Sequence, residues 1–139
     1  MGGGYTGTAN LNVIDYITIS TPATTATDFG DISAATRFPG ACSNGSRGVF
    51  GGGYSTSFSS VIDYVTIATP NHAIKFGSLS VARYNLTAAS NGTRAIWAGG
   101  SSGSYTDVID YAEIDSPGDG TDFGNMVAVR YGPAATSGD

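Results

Sequence analysis

The feature that most constrains this chain is a repeat of about 47 residues that runs through all 139 residues. Three landmarks recur in a fixed order: a Val-Ile-Asp-Tyr segment, a Phe-Gly pair, and an arginine followed by an aromatic residue. They begin at Val13, Val61 and Val108, at Phe29, Phe76 and Phe123, and at Arg37, Arg83 and Arg130. This order predicts one structural unit copied three times, in residues of about 1–46, 47–93 and 94–139.

Within one copy the sequence predicts four short strands. Over one period, from residue 84 to residue 126, apolar segments separated by turn residues place these strands at about 84–90, 94–98, 108–114 and 121–126. Asn91-Gly92 predicts a tight hairpin, because both residue types tolerate positive φ. No apolar period of 3.6 residues survives between the glycines, so we expect an all-β chain.

Four strands in about 47 residues resemble one blade of a kelch-type β-propeller, whose repeats run near 50 residues. The order of parts is also similar: a strand ending in Gly99-Gly100, a strand carrying Tyr111, a fourth strand, and then Arg130. The departure is phenylalanine in the fourth strand, where kelch repeats usually carry tryptophan. The resemblance implies a kelch-like β-propeller with three four-stranded blades per chain, which is half of a six-bladed ring.

The alignment of the chain's two ends with the repeat predicts how the ring closes. Met1 aligns with Phe50, so the first copy lacks its innermost strand, whereas residues 131–136 form a first strand without a blade. Three blades are fewer than the 4–8 that propellers typically have. We therefore expect a homodimer in which residues 131–136 of each chain complete the first blade of the other.

The repeated aspartates and arginines are the charged residues that stand out. Asp15, Asp63 and Asp110 lie in apolar strands, and by alternation Asp63 shares a face with Val65 while Tyr64 takes the other face with Ile62. A buried carboxylate needs a partner, which favours pairing with Arg37, Arg83 and Arg130 or with backbone N–H groups of a turn. The alternative is a ring of acid–base or ligand-binding sites.

The loop that follows each glycine cluster varies between the copies and predicts a ligand face. These loops are rich in Ser and Thr, and each contains an aromatic residue; the candidates are Tyr5, Tyr54, Phe58 and Tyr105. Aromatic rings suit the apolar faces of sugars, and hydroxyl groups suit sugar hydroxyls. The sequence therefore favours glycan as a ligand, with plain solvated turns as the alternative.

Composition and charge exclude several other classes. A net charge of −5 and only six scattered basic residues argue against a nucleic-acid partner. No segment has the roughly 18 apolar residues of a membrane span, and the first residues lack a signal peptide, so we expect cytoplasmic synthesis. One His and one Cys do not form a multi-His metal site, and we predict no cofactor and no metal. The aspartates of one turn, Asp115, Asp119 and Asp122, have a spacing unlike that of an EF-hand.

These observations predict a non-enzymatic structural or interaction module. The repeats also resemble segments of tailed-phage (cyanophage-like) structural proteins, which implies association with a virion and binding of host-surface glycan. The alternatives are a kelch-type protein-binding adaptor and a galactose-oxidase-like or glycosidase-like enzyme fragment. Galactose-oxidase chemistry uses two histidines and sialidase chemistry uses clustered arginines, and this sequence offers neither.

Overall fold

The computed structural model describes residues 1–20 and 25–137, and within them the chain forms three antiparallel sheets and no helix. The first sheet contains β1 (Gly2–Tyr5), β2 (Asn10–Tyr16) and β3 (Thr27–Thr36). The second sheet contains β4 (Gly40–Ser43), β5 (Arg47–Gly51), β6 (Val61–Thr66) and β7 (Ile74–Ser78). The third sheet contains β8 (Thr87–Ser90), β9 (Arg94–Ala98), β10 (Val108–Glu113) and β11 (Thr121–Asn125).

The strands follow one another across each sheet in chain order, joined by hairpins. The Asn91-Gly92 hairpin is confirmed, but only Gly92 takes positive φ. The side chain of Asn91 instead accepts hydrogen bonds from the backbone N–H groups of Thr93 and Arg94, at 3.0 and 2.8 Å. Asn44 makes the same contacts to the N–H groups of Ser46 and Arg47. The turn chemistry is therefore repeated along with the sequence.

The Phe-Gly landmark forms a β-bulge in every sheet. In the third sheet, Ile109 pairs with Gly124 and Asp110 with Asp122, so Phe123 is an extra residue on its strand. Phe76 and Phe29 are the extra residues at the equivalent register shifts of the other two sheets. The bulge always stands opposite the Ile-Asp step.

The sheets pack face against face and form two cores. Between the second and third sheets the buried residues are Val49, Ile62, Phe76, Leu79, Leu86, Ala95, Trp97, Ala112 and Ile114. Between the first and second they are Ile14, Ile32, Phe50 and Val65. The side-chain alternation predicted for β6 is confirmed, since Ile62 and Tyr64 contact one core and Val65 belongs to the other.

The strands at the two ends of the chain compare differently with the prediction. The first sheet has three strands, in agreement with a first copy that lacks one strand. Residues 131–136 form no strand, so the first strand expected there is not observed. In the described part of the chain there is no helix long and apolar enough to cross a membrane.

Candidate functional site

The interface between the second and third sheets contains a buried ion pair. Arg83 and Asp110 are both fully buried, and Arg83 Nη1 donates to Asp110 Oδ2 at 2.8 Å. Arg83 Nη2 donates to the carbonyl oxygen of Trp97 at 3.0 Å. Ser80 donates to the same carboxylate through its backbone N–H and its hydroxyl, at 3.1 and 2.5 Å. The charges thus compensate each other inside the protein, which is what makes their burial tolerable.

Asp63 lies at the equivalent place between the first and second sheets but has no arginine. Ser33 donates to Asp63 Oδ2 through its N–H at 2.9 Å and its hydroxyl at 2.6 Å, as Ser80 does to Asp110. Oδ1 of Asp63 is buried and has no hydrogen-bond partner in the described part of the chain. The prediction of a repeated Asp–Arg pair therefore holds at Asp110 and is wrong at Asp63.

The cause is a one-residue offset that the sequence alignment hides. The strictly repeated backbone feature is a positive φ at Phe38, Asn85 and Gly132, with values of 57°, 53° and 63°. Counting back from it, Thr36 occupies the position of Arg83, and Arg37 occupies that of Tyr84. Backbone pairing agrees, because Arg37 pairs with Tyr54 as Tyr84 pairs with Ser101. Arg37 is thus aligned with Arg83 by residue type but not by structure.

Asp15 is the first of the repeated aspartates, and Arg130 is the last of the repeated arginines. Asp15 on β2 is half-buried and Arg130 is exposed. Gly100 donates its N–H to the carbonyl oxygen of Arg130 at 2.8 Å, as Gly53 does to that of Arg83 at 2.9 Å. Arg130 is therefore the structural equivalent of Arg83, but it is exposed, and no further sheet of the described residues follows the third one.

Turns from one sheet also close over the bulge of the preceding one. A Cβ added to Gly77 would lie 2.0 Å from the carbonyl oxygen of Gly118, and one added to Gly30 would lie 2.5 Å from that of Asn71. A Cβ on Gly124 would meet nothing within 4 Å. The glycine of the Phe-Gly pair is therefore explained by close approach of the next turn.

The turn residues considered as ligands serve this packing instead. Asp119 Oδ1 accepts from the N–H of Ser78 at 2.9 Å, and His72 Nδ1 accepts from that of Asp31 at 3.1 Å. Asp115 accepts from Asn44 Nδ2, and Asp122 from the N–H of Gly124. Among the described residues no group of three His, Cys, Asp or Glu side chains is placed to hold a metal ion.

The predicted ligand-face residues lie in a continuous surface strip, here called the aromatic row. It consists of Tyr5, Tyr54, Phe58, Tyr84, Tyr131 and Tyr105, with Arg37 between the first two rings. The planes of Phe58 and Tyr84 stack within 6° at 5.5 Å, and Tyr105 stacks on Tyr131 at 5.2 Å. Tyr105 is 62% exposed and Tyr5 46%.

Local backbone geometry places these rings. Tyr54 and Phe58 pair across a short loop, as Ser101 and Tyr105 do in the third copy. Tyr84 pairs with Ser101, so Tyr84 lies beside the loop that carries Tyr105. Cation–π contacts hold the Arg37 guanidinium 4.7 Å from the ring centre of Tyr5 and 4.9 Å from that of Tyr54. The neighbouring Tyr131 side chain raises the pKa of Tyr84.

Sequence reasoning found Tyr5, Tyr54, Phe58 and Tyr105 but missed Tyr84 and Tyr131. Both tyrosines are the aromatic residue of the repeated arginine–aromatic landmark, which the sequence pattern assigns only to a strand. The chain matches no protein-family model and no curated protein. The kelch and phage resemblances remain predictions.

Proposed function

We propose that this chain is a non-catalytic interaction module, three blades of a kelch-like β-propeller, that binds carbohydrate through the aromatic row. The observation that carries the proposal is the row itself. Rings from all three sheets or their connections line one surface, and most are partly exposed. Large exposed aromatic surfaces on soluble domains commonly mark binding sites.

The surroundings of the row favour sugar over an apolar protein surface. The loops that carry its rings contain Ser55, Ser57, Ser102 and Ser104, whose hydroxyls both donate and accept hydrogen bonds. Every ring of the aromatic row except that of Phe58 belongs to a tyrosine and carries a hydroxyl. A pyranose has apolar C–H faces and a rim of hydroxyls, so this combination matches both of its surfaces.

A glycan array on the soluble protein tests the proposal, followed by calorimetric titration of the best ligand. Tyr105→Ala should weaken binding about five- to thirtyfold, because an exposed stacking ring is worth roughly 1–2 kcal/mol. Tyr16→Ala is the matched control, since Tyr16 is exposed and lies at the far end of β2. Binding that is absent, or equal in both variants, would overturn the carbohydrate proposal, and capture of a defined protein ligand would favour the adaptor alternative.

We also expect no turnover of sugar-oxidase or glycosidase substrates by the protein. The row supplies tyrosine hydroxyls and one guanidinium held by ring contacts, an arrangement suited to binding rather than proton transfer. The assay is product formation with and without added copper. Turnover that persists after repurification and is lost in Tyr105→Ala would favour the enzyme alternative.

The uncovered side of the third sheet supports closure of the propeller by a second copy. Phe123 is 59% exposed, whereas Phe76, its equivalent in the second sheet, is 5% exposed. Val127 and Val129 lie exposed on the segment after β11. Covering this apolar surface is favourable at about 25 cal/mol per Å². Two copies of three sheets give six blades, within the range of 4–8 typical of propellers.

Charge complementarity supports a mating surface that contains Arg130 and Asp15. Arg130 stands where Arg83 stands one sheet earlier, and Asp15 stands where Asp110 stands in the third sheet. We therefore expect Arg130 of one copy to pair with Asp15 of the other, which repeats the buried contact seen at Arg83. The outer edge of β1 is unpaired in the first sheet, and residues 131–136 of the second copy would pair with it.

Native mass spectrometry with a charge exchange tests this closure. Arg130→Asp and Asp15→Arg should each shift the protein toward monomer, and the double variant should restore the dimer. A wild-type monomer at micromolar concentration, or an assembly with a different number of chains, would contradict it. The glycan proposal has a separate readout, because it is tested by glycan binding of Tyr105→Ala, and Tyr105 is not part of the Arg130–Asp15 charge pair.

A further inference from the structure

A cavity of about 50 Å³ lies between the first and second sheets beside Asp63. Its wall includes Thr36, Asp63 and the chain at Ala34 and Phe50. Asp63 is 5% exposed, and its Oδ1 atom has no hydrogen-bond partner among the described residues. The hydroxyl oxygen of buried Thr36 is also without one. The cavity thus combines a buried negative charge with free acceptor capacity.

The neighbouring interface contains the same site with a side chain inside it. There the guanidinium of Arg83 contacts Asp110 Oδ2, the carbonyl oxygen of Trp97 and, at 3.4 Å, that of Val81. One repeat earlier these three residues correspond to Asp63, Phe50 and Ala34, and all three line the cavity. Thr36, at the position of Arg83, has a side chain too short to fill the space. The surroundings that hold a guanidinium at one interface are therefore present at the other without one.

Electrostatics favours a cation over water in this cavity. A buried carboxylate that is bonded only to Ser33 lacks the compensating charge that Asp110 has. The cavity is several times the roughly 10–15 Å³ that one water needs by the same measure, so a small planar cation is sterically reasonable. Arg37 does not serve, because its guanidinium lies between Tyr5 and Tyr54.

We infer that the cavity beside Asp63 is a binding site for a guanidinium group, held by the Asp63 carboxylate and the backbone carbonyls of Phe50 and Ala34. The ligand class is a small guanidinium compound, such as guanidinium ion or methylguanidinium. Binding would restore at the first interface the contacts that Arg83 makes at the second. This inference is independent of the carbohydrate proposal, because the cavity lies between sheets and the aromatic row lies on the surface.

The test is calorimetric titration of the wild-type protein with guanidinium chloride at low millimolar concentration, below the denaturing range, against sodium chloride at equal ionic strength. We expect saturable binding with guanidinium and none with sodium. Asp63→Asn should weaken binding about tenfold or more, because the charged acceptor is lost. Circular dichroism confirms that this variant is folded. No saturable binding, or equal binding of sodium, would overturn the inference.

Two exchanges between the interfaces provide an independent check. Thr36→Arg should raise the melting temperature and abolish guanidinium binding, since its own side chain fills the cavity. Arg83→Thr should lower the melting temperature and add a second guanidinium site, visible as doubled stoichiometry. Should Thr36→Arg fail to fold, the stoichiometry of Arg83→Thr still decides, and an unchanged value of one site or none would contradict the proposed chemistry.

Discussion

The two interfaces between neighbouring sheets come from nearly the same sequence but differ in how they balance charge. At the second interface Asp110 has an arginine partner, and Trp97 is buried with its indole N–H donating to the carbonyl oxygen of Gly40 at 3.2 Å. At the first interface Asp63 accepts hydrogen bonds from Ser33 alone among the described residues, and Phe50 stands at the position of Trp97. Arg37 is displaced by one residue from the position equivalent to Arg83. Because of this displacement, the buried Asp63 lacks the compensating charge that Asp110 has.

The largest expected difference between the interfaces concerns the aspartates. Asp110→Ala should lower the free energy of unfolding by about 3–5 kcal/mol, because it leaves Arg83 as an unpaired buried cation. Asp63→Ala removes only the two hydrogen bonds from Ser33 and should cost about 1–3 kcal/mol. Urea denaturation measures both. Equal losses would mean that the ion pair does not distinguish the interfaces.

A second contrast concerns the glycines that face the two large rings. A Cβ on Gly51 would lie 2.5 Å from Nε1 of Trp97, and one on Gly2 would lie 2.6 Å from an edge atom of Phe50. Gly51→Ala should cost about 1–3 kcal/mol, because the indole is fully buried and fixed by its hydrogen bond. Gly2→Ala should cost less, since Phe50 has no such bond. Thermal melts of the two variants provide the measurement, and a larger loss for Gly2→Ala would refute this ordering.

The first strands of the second and third sheets differ in one ionisable group, because Cys42 on β4 corresponds to Ala89 on β8. Burial raises the pKa of the Cys42 thiol from 9.0 to about 12. The unfolded thiol therefore ionises first, and stability should fall as pH rises from about 9 toward 12, by up to about 1.4 kcal/mol per pH unit. Below pH 8 the effect should vanish.

Urea denaturation of the wild type and of Cys42→Ala at pH 8 and pH 10 checks this sign. The variant should lose less stability than the wild type between the two values. The thiol should also react slowly with disulfide reagents at pH 8, since the thiolate is the reactive form. A fast reaction comparable to that of the urea-unfolded protein would contradict the assigned burial.

The smallest expected effect belongs to Arg37, whose backbone position corresponds to that of Tyr84. Arg37→Tyr places a ring beside Tyr5 and Tyr54, in the manner in which Tyr84 packs on Phe58. We expect a change within about 0.5–1 kcal/mol, because one ring contact replaces another. A loss above 2 kcal/mol in urea denaturation would indicate that the cation itself is required there.

Much of the fold could be predicted because it depends on local patterns. The strand expected at 94–98 is β9, and those expected at 108–114 and 121–126 agree with β10 and β11 within a residue. Period-2 alternation also assigned the faces of β6 correctly. These features follow from side-chain direction and turn chemistry, which act over a few residues.

The partners of the aspartates could not be predicted in the same way. Arg37 and Arg83 match by residue type. Their side-chain contacts, however, depend on how far each arginine lies from the following positive-φ residue. Nothing in the sequence indicates that Phe38 has a positive φ. Similarly, the bulge at Phe76 and the approach of Gly118 to Gly77 involve residues far apart in sequence. Alignment by residue type therefore misplaced Arg37 by one residue. In a strand, a shift of one residue turns a side chain to the opposite face.

Local sequence patterns predicted an all-β repeat and most of its strands and turns, but the strand expected at residues 131–136 is not observed. Only the tertiary structure decided that Arg83 is buried against Asp110 while Arg37 joins the surface rings, and that Tyr84 and Tyr131 complete the aromatic row. The physical reason is that strand formation depends on neighbouring residues. Charge pairing and ring stacking depend instead on the exact backbone register between sheets, which packing of distant segments fixes.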